Sequence, residues 1–567
     1  MAQKRIRSGL QSPAAFISIV SAAASVAILA AKFVLVARIN VNWDEFYFLN
    51  HVYALARGEL ELLMQGAYTH AFLWITSTGG NEVDQVVRLR VVMCVLLAIS
   101  AVFLWALART YASRTAAWLA LLAFLASWPV LKHGASFRAD SIVLPLTLAA
   151  FYFALRRGAR FARDAAIAGA CLGLAITVTV KGVLLVPALV LMAALPDTGS
   201  HRVCGDSIQL AVRRIVLMVS VAAAVAATLL LLHGMQVEEA AEPAGGFASR
   251  TLQSAFDAPL LPRVETLVGY LANDALYWIA ALAGFMVALQ RRSFSAAAVI
   301  LCLAPMLFYR NAFPYYFPVM MAPAAVLVAI AVDWLLGVSN ARARPVALAT
   351  VAVGCLSVLH GAWDGIATLR FDGLSGERAI VAAVHRVFPL PVPYIDHSGM
   401  IASFPKANFF MSGWGVEHYL SRGEDFMPEI IRQHCAPLLL VNHSVLKPGA
   451  LLFRELRATD RALLESRYVP YWGPIRLAGA ARKIQPGRDS VIRVPCTGRY
   501  RVSTEGSALF DGHAMVDGEV LELEGERDYR VESASAESSP VAITLRWADV
   551  GTPPSEPPPR MPVYAPL

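Results

Sequence analysis

Charged residues are scarce in this sequence. Lys, Arg, Asp and Glu make up only 16% of its 567 residues, while 57% are hydrophobic. Soluble domains rarely carry so few charges over such a length, and a mean hydropathy of +0.54 points the same way. A water-soluble globular protein is thereby excluded, and a polytopic α-helical membrane protein takes its place. Cysteines are also few, seven in all, and none shows metal-ligand spacing. Cys94, Cys171, Cys302 and Cys355 fall in predicted helices, and Cys204 in a predicted cytoplasmic loop. Only Cys435 and Cys496 fall in a predicted external region, where an isolated pair often bonds. Their separation along the chain gives no distance, so the pairing stays open. The first apolar segment has no convincing small-residue cleavage site and reads as a retained helix.

The charge that is present is unevenly placed. A formal net charge of +8 and a pI near 9.1 suggest nucleic acid at first sight. The basic residues, however, cluster in alternate loops: Lys4, Arg5 and Arg7; Arg156, Arg157, Arg160 and Arg163; Arg291 and Arg292; Arg342 and Arg344. That is the positive-inside pattern of a cytoplasmic membrane protein, with no nucleic-acid partner and with its N-terminus in the cytoplasm. Apolar segments at about 14–37, 88–108, 115–132, 141–156, 163–180, 182–196, 211–233, 264–289, 294–309, 314–337 and 345–364 predict about eleven crossings. An odd number places the C-terminal region outside. Residues 163–196 would make a helix of roughly 50 Å, too long for one crossing, so they divide near Lys181-Gly182.

Four regions follow: a membrane domain over 1–366, an external α/β domain over 367–487, a β-sandwich-like module over 488–550 and a proline-rich tail over 551–567. The tail reads as extended or disordered. The chemistry gathers at the external ends of the spans. Asp44 and Glu45 follow the first segment, Arg138 and Asp140 lie between the third and fourth, Lys181 between the fifth and sixth, and Arg310 between the ninth and tenth. Each cation alone reads as a helix-end or snorkelling residue. Together with these carboxylates they make a constellation suited to removing a proton from a hydroxyl and holding a departing phosphate.

Trp43-Asp44-Glu45 behind the first span, Phe137-Arg138-Ala139-Asp140, the Lys181-Gly182 turn and Pro314-Tyr315-Tyr316 occur in that order. The set resembles the GT-C glycosyltransferases, in the branch of protein O-mannosyltransferases and lipid A aminoarabinose transferases. The resemblance implies an inverting transfer from a polyprenyl-phosphate-linked sugar donor to a lipid, glycan or protein acceptor, within membrane lipid at the external face. It implies Asp44 as general base, Asp140 as organiser of the site, and Arg138 and Lys181 beside the phosphate; Arg310 joins the phosphate-binding candidates. Where relatives carry a Lys-Pro-Pro-Leu-like segment, this chain has Tyr68-Thr69-His70. His70 could contact substrate or bind a divalent metal ion with Glu45 or Glu82, and Tyr315 is a further candidate contact. An interfacial, structural histidine is the plainer reading of His70. No cofactor is demanded; a divalent metal is the one candidate.

Two other classes remain. A flippase or transporter of lipid-linked saccharide would place polar or broken-helix features near the bilayer midplane, and Asn273-Asp274 inside the eighth segment keeps it in view. A membrane-anchored carbohydrate-binding protein without activity would leave Asp44, Asp140 and Lys181 dispensable.

Overall fold

The computed structural model describes residues 13–156, 160–195, 205–237, 261–310, 312–370, 373–486, 488–534 and 540–559. The basic N-terminus, the acidic stretch at Glu238, Glu239 and Glu242, and the end of the proline-rich tail lie outside the described residues. Two compact units divide the chain: residues 1–39, 55–73 and 87–371 form the first, and 40–54, 74–86 and 372–567 the second.

The first unit is helical. Among the described residues six helices are long and apolar enough to cross a membrane, or seven if one bent pair counts as a span. They include Pro13–Leu35, Phe161–Val178, Gly205–Gly234, Phe317–Leu336 and Ala343–Leu369. Helical structure occurs in all eleven expected segments. Several pieces are shorter than expected: Arg114–Ala126, Ala139–Leu155, and the broken runs over 180–194 and 294–308. The expected division of 163–196 is present, because the helix stops at Val178 and a 3-10 turn, Val180–Leu185, precedes Val186–Ala194.

Side-chain size dictates how these helices meet. Gly169 and Gly173, one turn apart, let Phe161–Val178 press against Gly205–Gly234. A Cβ at Gly169 would lie 2.3 Å from the Met218 carbonyl oxygen, and one at Gly173 2.6 Å from that of Ala222. This is the small-residue contact that membrane helices use when no hydrophobic effect separates them from lipid. Phe317–Leu336 is the central helix, with every residue from Phe317 to Ala331 buried. Ile208, Val212, Val216 and Val219 instead lie exposed on Gly205–Gly234, an apolar face suited to lipid rather than water. The pair Val264–Asn273 and Ala275–Gln290 bends by 91° at Asp274, whose carboxylate accepts from the Trp128 amide at 3.2 Å.

Among the described residues the second unit has eleven strands: β1 (Tyr394–Ile395), β2 (Leu438–Leu440), β3 (Tyr468–Trp472), β4 (Ile475–Ile484), β5 (Asp489–Ile492), β6 (Gly498–Glu505), β7 (Ala508–Phe510), β8 (His513–Ala514), β9 (Val520–Leu523), β10 (Tyr529–Ser533) and β11 (Val541–Trp547). β1 and β2 are parallel, and the helices Gly413–Arg422 and Met427–Gln433 fill the connection between them. A seven-stranded sheet runs β1-β2-β4-β11-β6-β9, with β3 paired to β4. The second sheet runs β5-β10-β7-β8. β4 pairs at one end with β2 and β3 and at the other with β11, so strands from the expected 367–487 and 488–550 regions share one sheet. Alternating residues such as Val502, Ile543 and Leu545 from one sheet and Ile492, Phe510 and Val531 from the other enter a single buried cluster.

Part of the tail is extended and anchored. Tyr471 donates its hydroxyl to the Gly551 carbonyl at 2.8 Å, and Trp472 Nε1 donates to the Glu556 carbonyl at 3.1 Å. Cys435 and Cys496 are joined as a disulfide, with Cα atoms 5.0 Å apart across 61 residues of chain. The bond ties the end of the helix that precedes β2 to the start of β6. Non-reducing peptide mapping should recover the two cysteines in one linked fragment. Replacing both with Ser should destabilise the second unit by about 2–4 kcal/mol, measured by denaturant unfolding, because the unfolded chain regains a long loop.

Candidate active site

In the first unit three irregular segments bring charge together. Arg138, in extended conformation, immediately precedes the helix Ala139–Leu155, and Asp140 lies in that helix's first turn. Lys181 sits in the 3-10 turn that follows Val178, where Thr179 Oγ1 accepts the Lys181 amide at 3.4 Å. Lys181 Nζ is 3.3 Å from Asp140 Oδ1 and donates to it. Arg138 Nε is 3.8 Å from Asp140 Oδ2, and both of these side chains are only 4% exposed. One carboxylate is therefore shared by two cations. Taking a carboxylate out of water is costly unless cations accompany it, so the cluster holds its members in fixed places.

Aromatic rings complete the cluster. The Arg138 guanidinium lies 3.2 Å from the centre of the Tyr315 ring, and Lys181 Nζ lies 5.3 and 5.2 Å from the rings of Tyr315 and Tyr316. Tyr316 donates its hydroxyl to the Lys181 carbonyl at 3.1 Å. Phe313 stacks on Tyr315 at 5.5 Å, and the Arg263 guanidinium covers Phe313 at 4.2 Å. Arg263 Nε also donates to the Arg310 carbonyl at 3.3 Å. The result is a ladder of cation, ring, ring and cation from Arg263 to Arg138. Sequence reading missed Arg263, Phe313 and Tyr316 as partners. Aromatic residues flanking a proline after a broken apolar run were the available signal.

His70 has a different neighbour from those expected. Its Nε2 lies 2.8 Å from His233 Nδ1, and His233 Nε2 donates to the Leu62 carbonyl at 2.9 Å. That arrangement makes His70 the donor to His233. Burial, then the nearby His233, lowers the His70 pKa.

The second unit carries the acidic pair. Asn42 caps the helix Trp43–Arg57. Its Oδ1 accepts the Asp44 amide at 2.9 Å, and Glu45 Oε2 accepts the Asn42 amide at 3.0 Å. This reciprocal arrangement is a capping box, and it gives the fully buried Glu45 a structural task. Asp44 is half-buried in the same first turn. Glu82 is buried and accepts from Ser403 Oγ at 2.5 Å and from His385 Nε2 at 2.9 Å. Among the described residues no group of three His, Cys, Asp or Glu side chains is placed to hold a metal ion.

Against Trp43, the residue before Asp44, stands a pair of histidines that sequence reading did not single out. Asp396-His397-Ser398 follows β1 and Asn442-His443-Ser444 follows β2, so the parallel strands bring equivalent residues side by side. Asn442 Nδ2 donates to Asp396 Oδ2 at 3.0 Å, and the His397 amide donates to Asn442 Oδ1 at 3.1 Å. The two imidazoles stack at 4.0 Å, and the Trp43 ring meets them at 5.2 and 5.7 Å. Burial lowers the pKa of both, and for His397 the nearby His443 and Lys406 lower it further, so the pair is neutral near pH 7. The signal was the repeated polar-His-Ser step after two buried apolar runs.

Comparison with known proteins follows from this geometry. Residues 70–226 match the dolichyl-phosphate-mannose-protein mannosyltransferase family. That segment contains Arg138, Asp140 and Lys181, as well as His70 and Glu82. The fold is similar to that of ArnT from Cupriavidus metallidurans bound to undecaprenyl phosphate. The TM-score is 0.50 at 16% identity, over 71% of this chain and 88% of that one. The Archaeoglobus fulgidus oligosaccharyltransferase tethered with an acceptor peptide superposes with a TM-score of 0.49 at 13% identity, over 82% and 74% of the two chains. No curated protein sequence matches this chain. A mannosyltransferase family is thus matched over the stretch that carries the charge cluster, and the fold is similar to that of ArnT.

Within the second unit the His385–Glu82 pair has a calculable pH dependence. Burial alone would lower the His385 pKa, but the hydrogen bond from His385 to Glu82 and the Glu82 charge outweigh it and raise the value above 6.5. A raised histidine stabilises fully below its unfolded value of about 6.5 and loses that contribution as pH rises through the folded value. Amide exchange of residues 81–86 should therefore be slower in the native protein than in His385→Gln at pH 5.5. The difference should shrink by pH 8.5. An equal difference at both pH values would remove the charge-assisted bond as its cause.

Proposed function

We propose that this protein moves a sugar from a polyprenyl-phosphate donor to an acceptor hydroxyl, with inversion, at the external face of the cytoplasmic membrane. The carrying observation is the pairing of Lys181 and Arg138 around buried Asp140. Two cations fixed by one carboxylate leave a net positive site suited to a phosphate monoanion or dianion. The undecaprenyl phosphate in the ArnT structure supports a lipid-phosphate donor.

In this mechanism Asp44 takes the proton of the acceptor hydroxyl as its oxygen attacks the anomeric carbon. The bond from that carbon to the phosphate oxygen breaks on the opposite face, and polyprenyl phosphate leaves with the electron pair. Arg138 and Lys181 stabilise the charge that develops on the phosphate. Asp140 keeps both cations oriented, and Tyr315 limits where the Arg138 guanidinium can go. Trp43, wedged against His397 and His443, fixes the turn that presents Asp44. Glu45 serves the helix cap, so Glu45→Gln, which keeps an acceptor, should retain more activity than Glu45→Ala.

The test is release of polyprenyl phosphate from a polyprenyl-phosphate sugar by purified protein, with folding checked separately. Asp44→Asn should slow turnover about 10²–10⁴-fold, the range of general-base catalysis. Lys181→Ala should raise the apparent donor KM more than it lowers kcat. Near-normal turnover in well-folded Asp44→Asn would remove Asp44 as the base. The 91° bend at Asp274 supports the second reading, a flippase, because transporters use broken helices. Donor translocation without sugar transfer, surviving in an Asp44/Asp140 double variant, would select it.

Topology is tested separately. A reporter joined after Arg163 or Arg292 should be cytoplasmic and one joined after Asp372 external, as the alternating basic loops require. A cytoplasmic reporter after Asp372 would move Asp44's own unit away from the external face.

A further inference from the structure

The second unit contains a cleft of about 310 Å³ that the transfer mechanism does not use. It opens where the loop 407–410 meets the helices Gly413–Arg422 and Met427–Gln433. Its wall is aromatic. Phe409 stacks on Tyr419 with ring centres 5.3 Å apart and 21° between planes, and Phe426 meets them edge-on at 5.5 and 5.7 Å. The rim mixes signs: Arg422 and His418 can donate, and Glu424 and Asp425 can accept.

This wall is rigid for an identifiable reason. Lys406 is buried beneath it, where Nζ donates to the carbonyls of Asp396, Asn408 and Phe409 at 2.8, 3.0 and 3.0 Å. Asn408 Nδ2 donates to the Phe409 carbonyl as well, at 3.1 Å. A buried ammonium group is costly, and here it fixes the backbone of the very residues that form the platform. A platform fixed before binding loses little entropy when a ligand arrives.

We propose that this cleft binds a pyranose unit of a saccharide acceptor, so that the acceptor of this enzyme is a glycan. The proposal rests on the transfer reading above. Ring faces match the C–H face of a sugar, and each sugar hydroxyl both donates and accepts, which a rim of mixed sign satisfies. A phosphate would face the carboxylates of Glu424 and Asp425, and a lipid chain would offer the polar rim no hydrogen bonds. The volume lies at the lower end of ligand pockets, which run from about 300 to 1,000 Å³. The cleft is also connected to the proposed base. Its Phe410 stacks on Tyr47 at 4.3 Å, and Tyr47 lies three residues beyond Asp44 on the helix Trp43–Arg57. A glycan anchored at the platform would thus extend from the element that carries Asp44.

The experiment uses full-length protein in detergent micelles and fluorescent linear tetrasaccharides of mannose, arabinose and N-acetylglucosamine, with binding read by anisotropy. At least one should bind saturably. Phe426→Leu, which keeps bulk but loses the ring face, and Arg422→Gln on the exposed rim should each weaken it about tenfold or more. Asp44→Asn should bind as the native protein does. In the transfer assay the same two variants should raise KM for the saccharide with kcat nearly unchanged. Absence of binding by all three probes, or equal binding in both variants, would overturn the proposal. So would displacement of the saccharide by an unglycosylated serine- and threonine-containing peptide, which would make the cleft a peptide site. Saccharide binding that persists and responds to both variants, with no sugar transfer by native protein, would instead overturn the transfer reading and leave the cleft standing.

Discussion

A carboxylate removed from water must find positive charge, and the centre of the first unit depends on that requirement. Asp140 meets it twice, through Lys181 at 3.3 Å and Arg138 at 3.8 Å. Arg138 is extended ahead of one helix, and Lys181 occupies the 3-10 turn where another has just ended. The breaks in these apolar runs therefore have a purpose, since each frees backbone and side chain at the same place. The aromatic segment from Phe313 to Tyr316 closes the remaining side and gives the cations π-faces in place of water.

The second unit solves a similar problem with a sheet. Parallel β1 and β2 end at the same level, and the polar residues after them interlock through Asp396 and Asn442. The histidines that follow form a flat support for Trp43. Residues 40–54 and 74–86, which sequence reading assigned to the membrane domain, are parts of this second unit. The bond from the Val41 amide to Glu377, the Glu82–His385 bond and the contact of Tyr47 with Phe410 help bind them there. The Asp44 helix is thus supported by residues more than 300 positions later in sequence. A domain that composition suggests is a soluble appendage instead supports the turn from which the proposed base projects.

For the chemistry, the important consequence is a division of labour. The cations lie in the segment that matches a mannosyltransferase family, and the acidic pair lies outside it. In the proposed mechanism, phosphate handling and hydroxyl activation fall to separate stretches of chain.

The sequence by itself determined the membrane class, the order of the apolar segments, the break near Lys181 and the residues Asp44, Arg138, Asp140 and Lys181 as notable. These are legible because hydropathy is local and a charge beside a long apolar run is conspicuous at any distance from its partners. It also marked Cys435 and Cys496 as the pair able to bond, though not that they meet. Only the tertiary structure decided that Glu45 caps a helix, that His70 faces His233, that Glu82 joins His385, and that His397 stacks on His443. Each of these depends on contacts between residues that are neighbours in no local pattern. A histidine or glutamate has the same appearance in sequence whether it binds a metal, caps a helix or braces a tryptophan. Its partner, supplied by packing from elsewhere in the chain, makes the choice.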